Sequence, residues 1–256
     1  MNVLALHNVK GGVGKTAAAV NLAWHAGQAG LPTLLWDLDA QGAASFYLGA
    51  DNGLARKPSK LLAGKSPLGR EVRATPYANV DVLPADGAWR ELDRMLRKTS
   101  ESRKHLQGLL EPFSEQYAVT ILDCPPTLSE LAEQVARAAD TVLVPVVPSP
   151  LSLRAWSQMQ AHWDDKRGIR RRLRPFFSLV DRRRRLHREW LASPPEPFAK
   201  RLASWVPYAS VVERMGLEEA PVGVYAPRSP AARAYDALLS ELAGTLGFER
   251  AIPRSV

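Results

Sequence analysis

A short strand-like run, Val3 to His7, leads into Val9-Lys10-Gly11-Gly12-Val13-Gly14-Lys15-Thr16, and a helical stretch follows from about Thr16 to Ala29. A strand, a glycine-rich turn and a helix N-terminus in that order aim successive backbone N–H groups at one point, where they can surround a phosphate. The glycines let the backbone turn inward, and the helix terminus adds partial positive charge. In such a loop Lys15 would hold β- and γ-phosphates and the Thr16 hydroxyl would face Mg²⁺. The alternative, a turn carrying two solvated lysines, is disfavoured by the length of the match and by its place between strand and helix. Lys10 is a cation beyond the usual pattern, and Val9 stands where that pattern has glycine.

A second strand, Thr33 to Trp36, follows Gly30-Leu-Pro32, so the chain opens with a β-α-β unit, whose crossover implies parallel strands. Further strands are expected at Val80 to Leu83, Val119 to Leu122, Thr141 to Val147, Phe176 to Val180 and Ala203 to Val206. The spacing predicts an α/β fold: a doubly wound, mostly parallel sheet with helices on both faces. Arg90 to Glu115 reads as a charged helix, and a last helix is expected over Ser229 to Leu246, opened by Ser229-Pro230.

With 256 residues and 46% apolar content the chain can bury a sizeable core, and 1–256 reads as one domain with 247–256 as a loosely held tail. No apolar run approaches the roughly 18–20 residues that span a bilayer. A cytoplasmic protein is therefore expected. The one cysteine, Cys124, allows neither an internal disulfide nor a cysteine-built zinc or iron–sulfur site within the chain. Net charge is +8, but Arg154 to Arg201 alone holds fourteen Lys/Arg against five Asp/Glu, so the basic character is local. The arginines Arg170 to Arg172, Arg174, Arg182 to Arg185 and Arg188 surround one expected strand, a pattern suited to a polyanion or to a solvated face.

Two acidic motifs end strands. Trp36-Asp37-Leu38-Asp39-Ala40-Gln41-Gly42 closes the second and places Asp37 and Asp39 on one side of an extended chain; Ile121-Leu122-Asp123-Cys124-Pro125-Pro126 closes another. A carboxylate at the position of Asp123 can hold Mg²⁺ through a water, or cap the following helix.

With these motifs the sequence resembles the ParA/MinD group of deviant Walker-A ATPases, closest to the ParA partition branch. The likeness runs through Val82-Leu-Pro-Ala85, Ala139 to Pro145 and Tyr225 to Ala231; Ala40 replaces a frequent proline and Ala118 a frequent aspartate. The resemblance implies that two subunits sandwich ATP, with Lys10 reaching the partner's nucleotide. It also implies ATP and Mg²⁺ as cofactors, nucleotide contacts from Lys10, Gly11, Gly12, Val13, Gly14, Lys15, Thr16 and Ala17, and adenine-side contacts from Ser178, Pro207 and Tyr208. Asp39 would position the attacking water near the metal, with Asp37 in support and Asp123 as the Walker-B carboxylate. Arg183 and Arg214 fall where the family contacts nonspecific DNA, with Arg182, Arg184, Arg185 and Arg188 alongside. The function implied is an ATP-hydrolysing dimeric switch, nucleoid-associated, that positions a plasmid, a chromosome region or another cargo with a ParB-like or adaptor partner. The alternatives are an ATP-dependent amide-forming enzyme of the cobyrinate type, for which no Cys/His glutaminase unit is found in the chain, and a MinD-like membrane-associated ATPase, against which the last ten residues offer no cationic apolar stripe.

Overall fold

The computed structural model of the protein describes residues 1–51, 53–56, 60–61, 67–87, 105–163 and 168–247. Among these, eight strands form one sheet: β1 (Asn2–Leu6), β2 (Thr33–Asp37), β3 (Arg73–Ala74), β4 (Val80–Leu83), β5 (Val119–Asp123), β6 (Thr141–Val146), β7 (Leu173–Val180) and β8 (Trp205–Pro207). Their order is β3-β4-β2-β5-β1-β6-β7-β8, and only the β3–β4 pair is antiparallel. The helices are α1 (Lys15–Gln28), α2 (Ala43–Tyr47), α3 (His105–Leu110), α4 (Glu130–Ala138), α5 (Pro150–His162), α6 (Ile169–Arg172), α7 (Arg185–Ala192), α8 (Ser210–Glu213), α9 (Met215–Glu218), α10 (Val222–Tyr225) and α11 (Pro230–Leu246).

Strands covered on both faces are buried along their whole length and mostly apolar, as β2, β5 and β6 are. Alternate residues go to two cores. Leu4, Leu6, Leu35, Ile121, Leu143 and Phe176 pack with Ala19, Leu22 and Ala26 of α1 and Tyr235, Leu238 and Leu242 of α11. Ala5, Leu34, Trp36, Leu122, Val144 and Phe177 pack on the opposite face with Val135 of α4, Trp156 and Met159 of α5 and Trp190 of α7. The final helix starts as its sequence predicts: the Ser229 hydroxyl accepts the Ala232 N–H at 3.1 Å, with Pro230 at the first helical position.

Three elements differ from expectation. The strand β7 begins at Leu173, because Pro175 and Arg174 pair with β6 despite their polar, strand-poor sequence. Strand β8 begins at Trp205, since the Ala203 and Ser204 N–H groups donate to the Glu241 carboxylate at 2.7 and 2.8 Å instead of to a neighbouring strand. The helix expected over Arg90 to Glu115 is α-helical only to Leu110 and continues as a 3₁₀ turn through Phe113, because Pro112 has no N–H to extend it. Its residues 90–104, like the tail beyond 247, lie outside the described residues.

From β1 the chain moves to β2 on one side of the sheet, while β6, β7 and β8 extend the other, so its winding direction reverses beside β1. The crevice at the carboxyl ends of strands flanking such a reversal is where open α/β sheets bind ligands.

Candidate functional site

The loop between β1 and α1 occupies that crevice. Gly12 and Gly14 have φ values of 69° and 90°, a region that side chains with a Cβ rarely enter. Asn8 fixes the loop's base: its Oδ1 accepts the Lys10 N–H at 3.0 Å, and its Nδ2 donates to the Pro145 carbonyl at 2.8 Å, tying the turn to the end of β6. Lys15 is buried and its ammonium donates to the Lys10 carbonyl at 3.4 Å. Burial pulls its pKa down, opposed by Asp123, Cys124 and Asp39. Lys10 is partly exposed, and its ammonium makes no hydrogen bond or ion pair among the described residues.

The carboxylates converge because β2 and β5 end in register, with Asp37 opposite Asp123. Asp123 is buried, and neither of its oxygens has a hydrogen-bond partner of normal geometry. Burial first, then the nearby Asp37, raises its pKa well above the usual carboxylate range; the Thr16 hydroxyl and Lys15 oppose the rise. Asp37 is pushed up to about 6 by burial, although it accepts hydrogen bonds from the Ser45 N–H and hydroxyl, both at 2.8 Å, and from the Asp39 N–H at 3.2 Å. Asp39 does not lie two places along an extended strand: β2 stops at Asp37, and Asp39 begins a turn in which its Oδ1 accepts the Gln41 N–H at 3.0 Å. Its carboxylate is partly exposed, whereas Asp37 is spent on the start of α2.

Thr16, Asp39 and Asp123 could therefore hold a divalent cation. The observation that fits one is the buried, unpartnered Asp123 carboxylate beside a hydroxyl, an arrangement that a positive charge would complete.

A cavity of about 660 Å³ opens between the ends of β7 and β8 and is lined by Val180 to Arg183, Trp205, Pro207 to Val211, Ser229 and Pro230. Pro207 and Tyr208 line this cavity. Ser178 does not: it is buried against the phosphate loop, and a Cβ placed on Gly14 would meet its Oγ at 3.0 Å. Strand alternation puts it there: Phe176, two residues earlier in β7, packs on the same face with α1.

The basic segment divides in two. Asp181 lies seven positions beyond Arg174 along β7, about 23 Å of extended chain, so Arg170 to Arg174 lie at the opposite end of the strand from Arg182 to Arg188. Arg172 is structural, donating to the Arg137 and Ala139 carbonyls at 2.7 and 2.8 Å, where it caps α4. Arg214 pairs with Glu218 and lies over the Tyr225 ring.

Three residues escaped the sequence reading. Asn8 and Ser45 fix the loop and the Asp37 turn, and their partners Pro145 and Ala85 are remote in sequence. His7, at the end of β1, is buried against Trp163 at 5.0 Å between ring centres, and neither ring nitrogen has a partner.

A phosphate loop between strand and helix, with carboxylates ending neighbouring parallel strands, defines a P-loop nucleotide hydrolase. The chain belongs to the ParA/MinD family of P-loop ATPases, and an AAA-domain family model matches residues 1–173. The chromosome-partitioning ATPase Soj of Treponema pallidum is 29% identical over 248 residues, 93% of this chain and 96% of that protein. Among solved structures, cobyrinic acid a,c-diamide synthase from Mycobacterium smegmatis with bound ADP and magnesium has a TM-score of 0.81 at 26% identity, covering 100% of this chain and 99% of that one. The septum site-determining protein MinD of Pyrococcus horikoshii, complexed with Mg-ADP, shares the fold at a TM-score of 0.74 and 21% identity, over 96% and 98% of the two chains. The protein is a ParA-type ATPase. No helix among the described residues is long and apolar enough to cross a membrane.

Proposed function

We propose that the protein is a dimeric positioning switch: ATP closes two subunits face to face, the dimer binds nonspecific DNA, and Mg²⁺-dependent hydrolysis, stimulated by a ParB-like or cargo-adaptor partner, releases it. The observation that carries this reading is the pair of lysines in one loop. Lys15 is buried and turned onto its own loop, while the Lys10 ammonium has no partner among the described residues. A cation held at a phosphate site without an internal partner is placed to meet charge supplied from outside, here the nucleotide of the second subunit.

In this reading the loop N–H groups from Gly11 to Ala17 and the Lys15 ammonium hold the phosphates, and Thr16 and Asp123 hold Mg²⁺. Asp39 orients a water for attack on the γ-phosphorus; the bond to the β-phosphate oxygen breaks, giving ADP and phosphate. Lys10 of the partner subunit neutralises charge that grows on the transferring group. Pro207 and Tyr208 flank the base. The basic loop after β7 meets DNA, and relatives named for chromosome partitioning support a nucleoid-associated role for cargo as large as a plasmid or chromosome region.

The test is sedimentation and turnover with Mg-ATP, with and without random-sequence duplex. Wild-type protein is expected to dimerise with ATP and to bind duplex only then; Lys10→Ala is expected to lose dimerisation while retaining nucleotide, and Asp39→Ala to dimerise without turnover. DNA binding that ignores nucleotide would remove the switch. A second reading, ATP-dependent amide formation on a corrinoid acid, is favoured by the likeness to the diamide synthase; consumption of ATP coupled to amidation of cobyrinic acid would establish it in place of the first.

A further inference from the structure

The loop Asp181–Arg184 joins β7 to α7 and is held from several directions. The Asp181 N–H donates to Nδ1 of buried His187 at 3.0 Å, and the Arg184 N–H donates to the Asp181 carbonyl at 3.0 Å. The Arg188 guanidinium donates to the carbonyls of Arg182 and Arg183 at 2.8 and 2.9 Å. Side chains on this loop therefore leave a fixed backbone, as a preformed contact surface requires.

The cationic side chains here are not equivalent. Arg183 closes a two-point fork on Asp181, Nε to Oδ1 at 2.9 Å and an Nη to Oδ2 at 3.0 Å. Arg185 pairs with Glu189 at 2.6 Å, and Arg188 is occupied by the loop carbonyls. Arg182 and Arg184 are exposed, and neither guanidinium has a hydrogen bond or ion pair among the described residues. We propose that Arg182 and Arg184 are the phosphate ligands for duplex DNA, and that Asp181 is an internal competitor that keeps the Arg183 fork out of that contact.

This rests on the DNA-binding reading above and departs from the Arg183 contact that the family resemblance implies. An arginine reaches a phosphate favourably when it releases a bound counterion. Arg182 and Arg184 meet that condition. Arg183 is already neutralised, and a phosphate that took its fork would leave the Asp181 carboxylate facing a polyanion. A lipid headgroup offers the same phosphate, but Leu186 is the one exposed large apolar side chain on the loop and α7, too little for insertion into a bilayer.

The experiment measures affinity for a random-sequence duplex at saturating Mg-ATP, across roughly 50 to 200 mM salt. Arg182→Ala and Arg184→Ala are each expected to weaken binding about tenfold and to lower the salt slope by about one per contacting protomer. Arg183→Ala is expected to change affinity less than about twofold. Asp181→Asn, which keeps an acceptor for the Arg183 N–H, is expected to tighten binding about threefold or more, and adding Arg183→Ala to it should abolish that gain. Melting curves confirm that each variant is folded. Arg183→Ala weakening binding as much as its neighbours, or Asp181→Asn bringing no gain, overturns the inference while leaving the switch intact. Wild-type protein that binds no duplex with Mg-ATP overturns both, and loss of binding to anionic vesicles with DNA affinity unchanged assigns the two arginines to lipid instead.

Discussion

Asp123 and His7 are buried polar side chains without hydrogen-bond partners, and they answer to different conditions. A carboxyl whose pKa is raised on folding holds its proton more tightly in the native state, so stability falls as the pH rises above the unfolded value near 3.8 and keeps falling until the native value is reached. Asp123→Asn removes the ionisable group, and with it the cost of ionising a buried carboxyl, at nearly constant volume. The nucleotide-free protein is expected to melt higher, by roughly 2–8 °C if the relief is of order 1–2 kcal/mol. The further rise that wild-type protein gains from Mg-ATP should largely disappear; a lower melting point in the nucleotide-free variant would refute the placement of that charge. His7 has the opposite sense. Burial, then Lys15 and His162, pushes its pKa down to about 3 from 6.5, so the unfolded chain takes up the proton first. Stability from this residue is complete above pH 6.5 and falls as the pH drops towards 3, by about 1.4 kcal/mol per pH unit at most. Denaturant titrations of wild-type protein and His7→Phe between pH 7 and 4 should show a shallower acid slope in the variant.

At the scale of elements, α1 is bound closely to the sheet through Gly27. Alanine would ordinarily improve a helix interior by about 1 kcal/mol. A Cβ at Gly27, however, would lie 2.6 Å from the Ala78 carbonyl oxygen and 2.5 Å from a Val80 methyl, and the Gly27 carbonyl accepts from Asn79 Nδ2 at 3.0 Å. Backbone cannot yield as a side-chain end can, so Gly27→Ala is expected to destabilise by about 1–3 kcal/mol, read as a lower denaturation midpoint. This approach illustrates what the sequence conveyed and what it did not. The apolar strands β2, β4, β5 and β6, the phosphate loop and the capped last helix each announce themselves within a few consecutive residues. Thr16 and Asp123 could be found because loop and strand-end positions are local patterns. Long-range partners are invisible to such reading: Glu241 displaces the start of β8 from 37 residues away, and Ser178 meets Gly14, which is remote in sequence. Asn8 and Ser45 stayed hidden for the same reason.

For the whole molecule, the sheet separates charge that is continuous in sequence. Arg171 and Arg184 belong to one basic run, yet β7 holds their ends of the strand about 23 Å apart, more than two screening lengths at physiological salt. Net charge of +8 would treat the two groups as interchangeable attractors for a polyanion; screening makes only the nearer one count. Arg171 is exposed at the end of the sheet remote from the phosphate loop, so Arg171→Glu removes as much positive charge from the protein as Arg184→Glu does. Duplex affinity at about 150 mM salt is expected to fall less than twofold for the first and well over tenfold for the second, with the two converging only as salt is lowered and the screening length grows. Equal losses at physiological salt would mean that DNA is attracted by the total charge of the molecule, and the loop after β7 would have no privileged part in holding it.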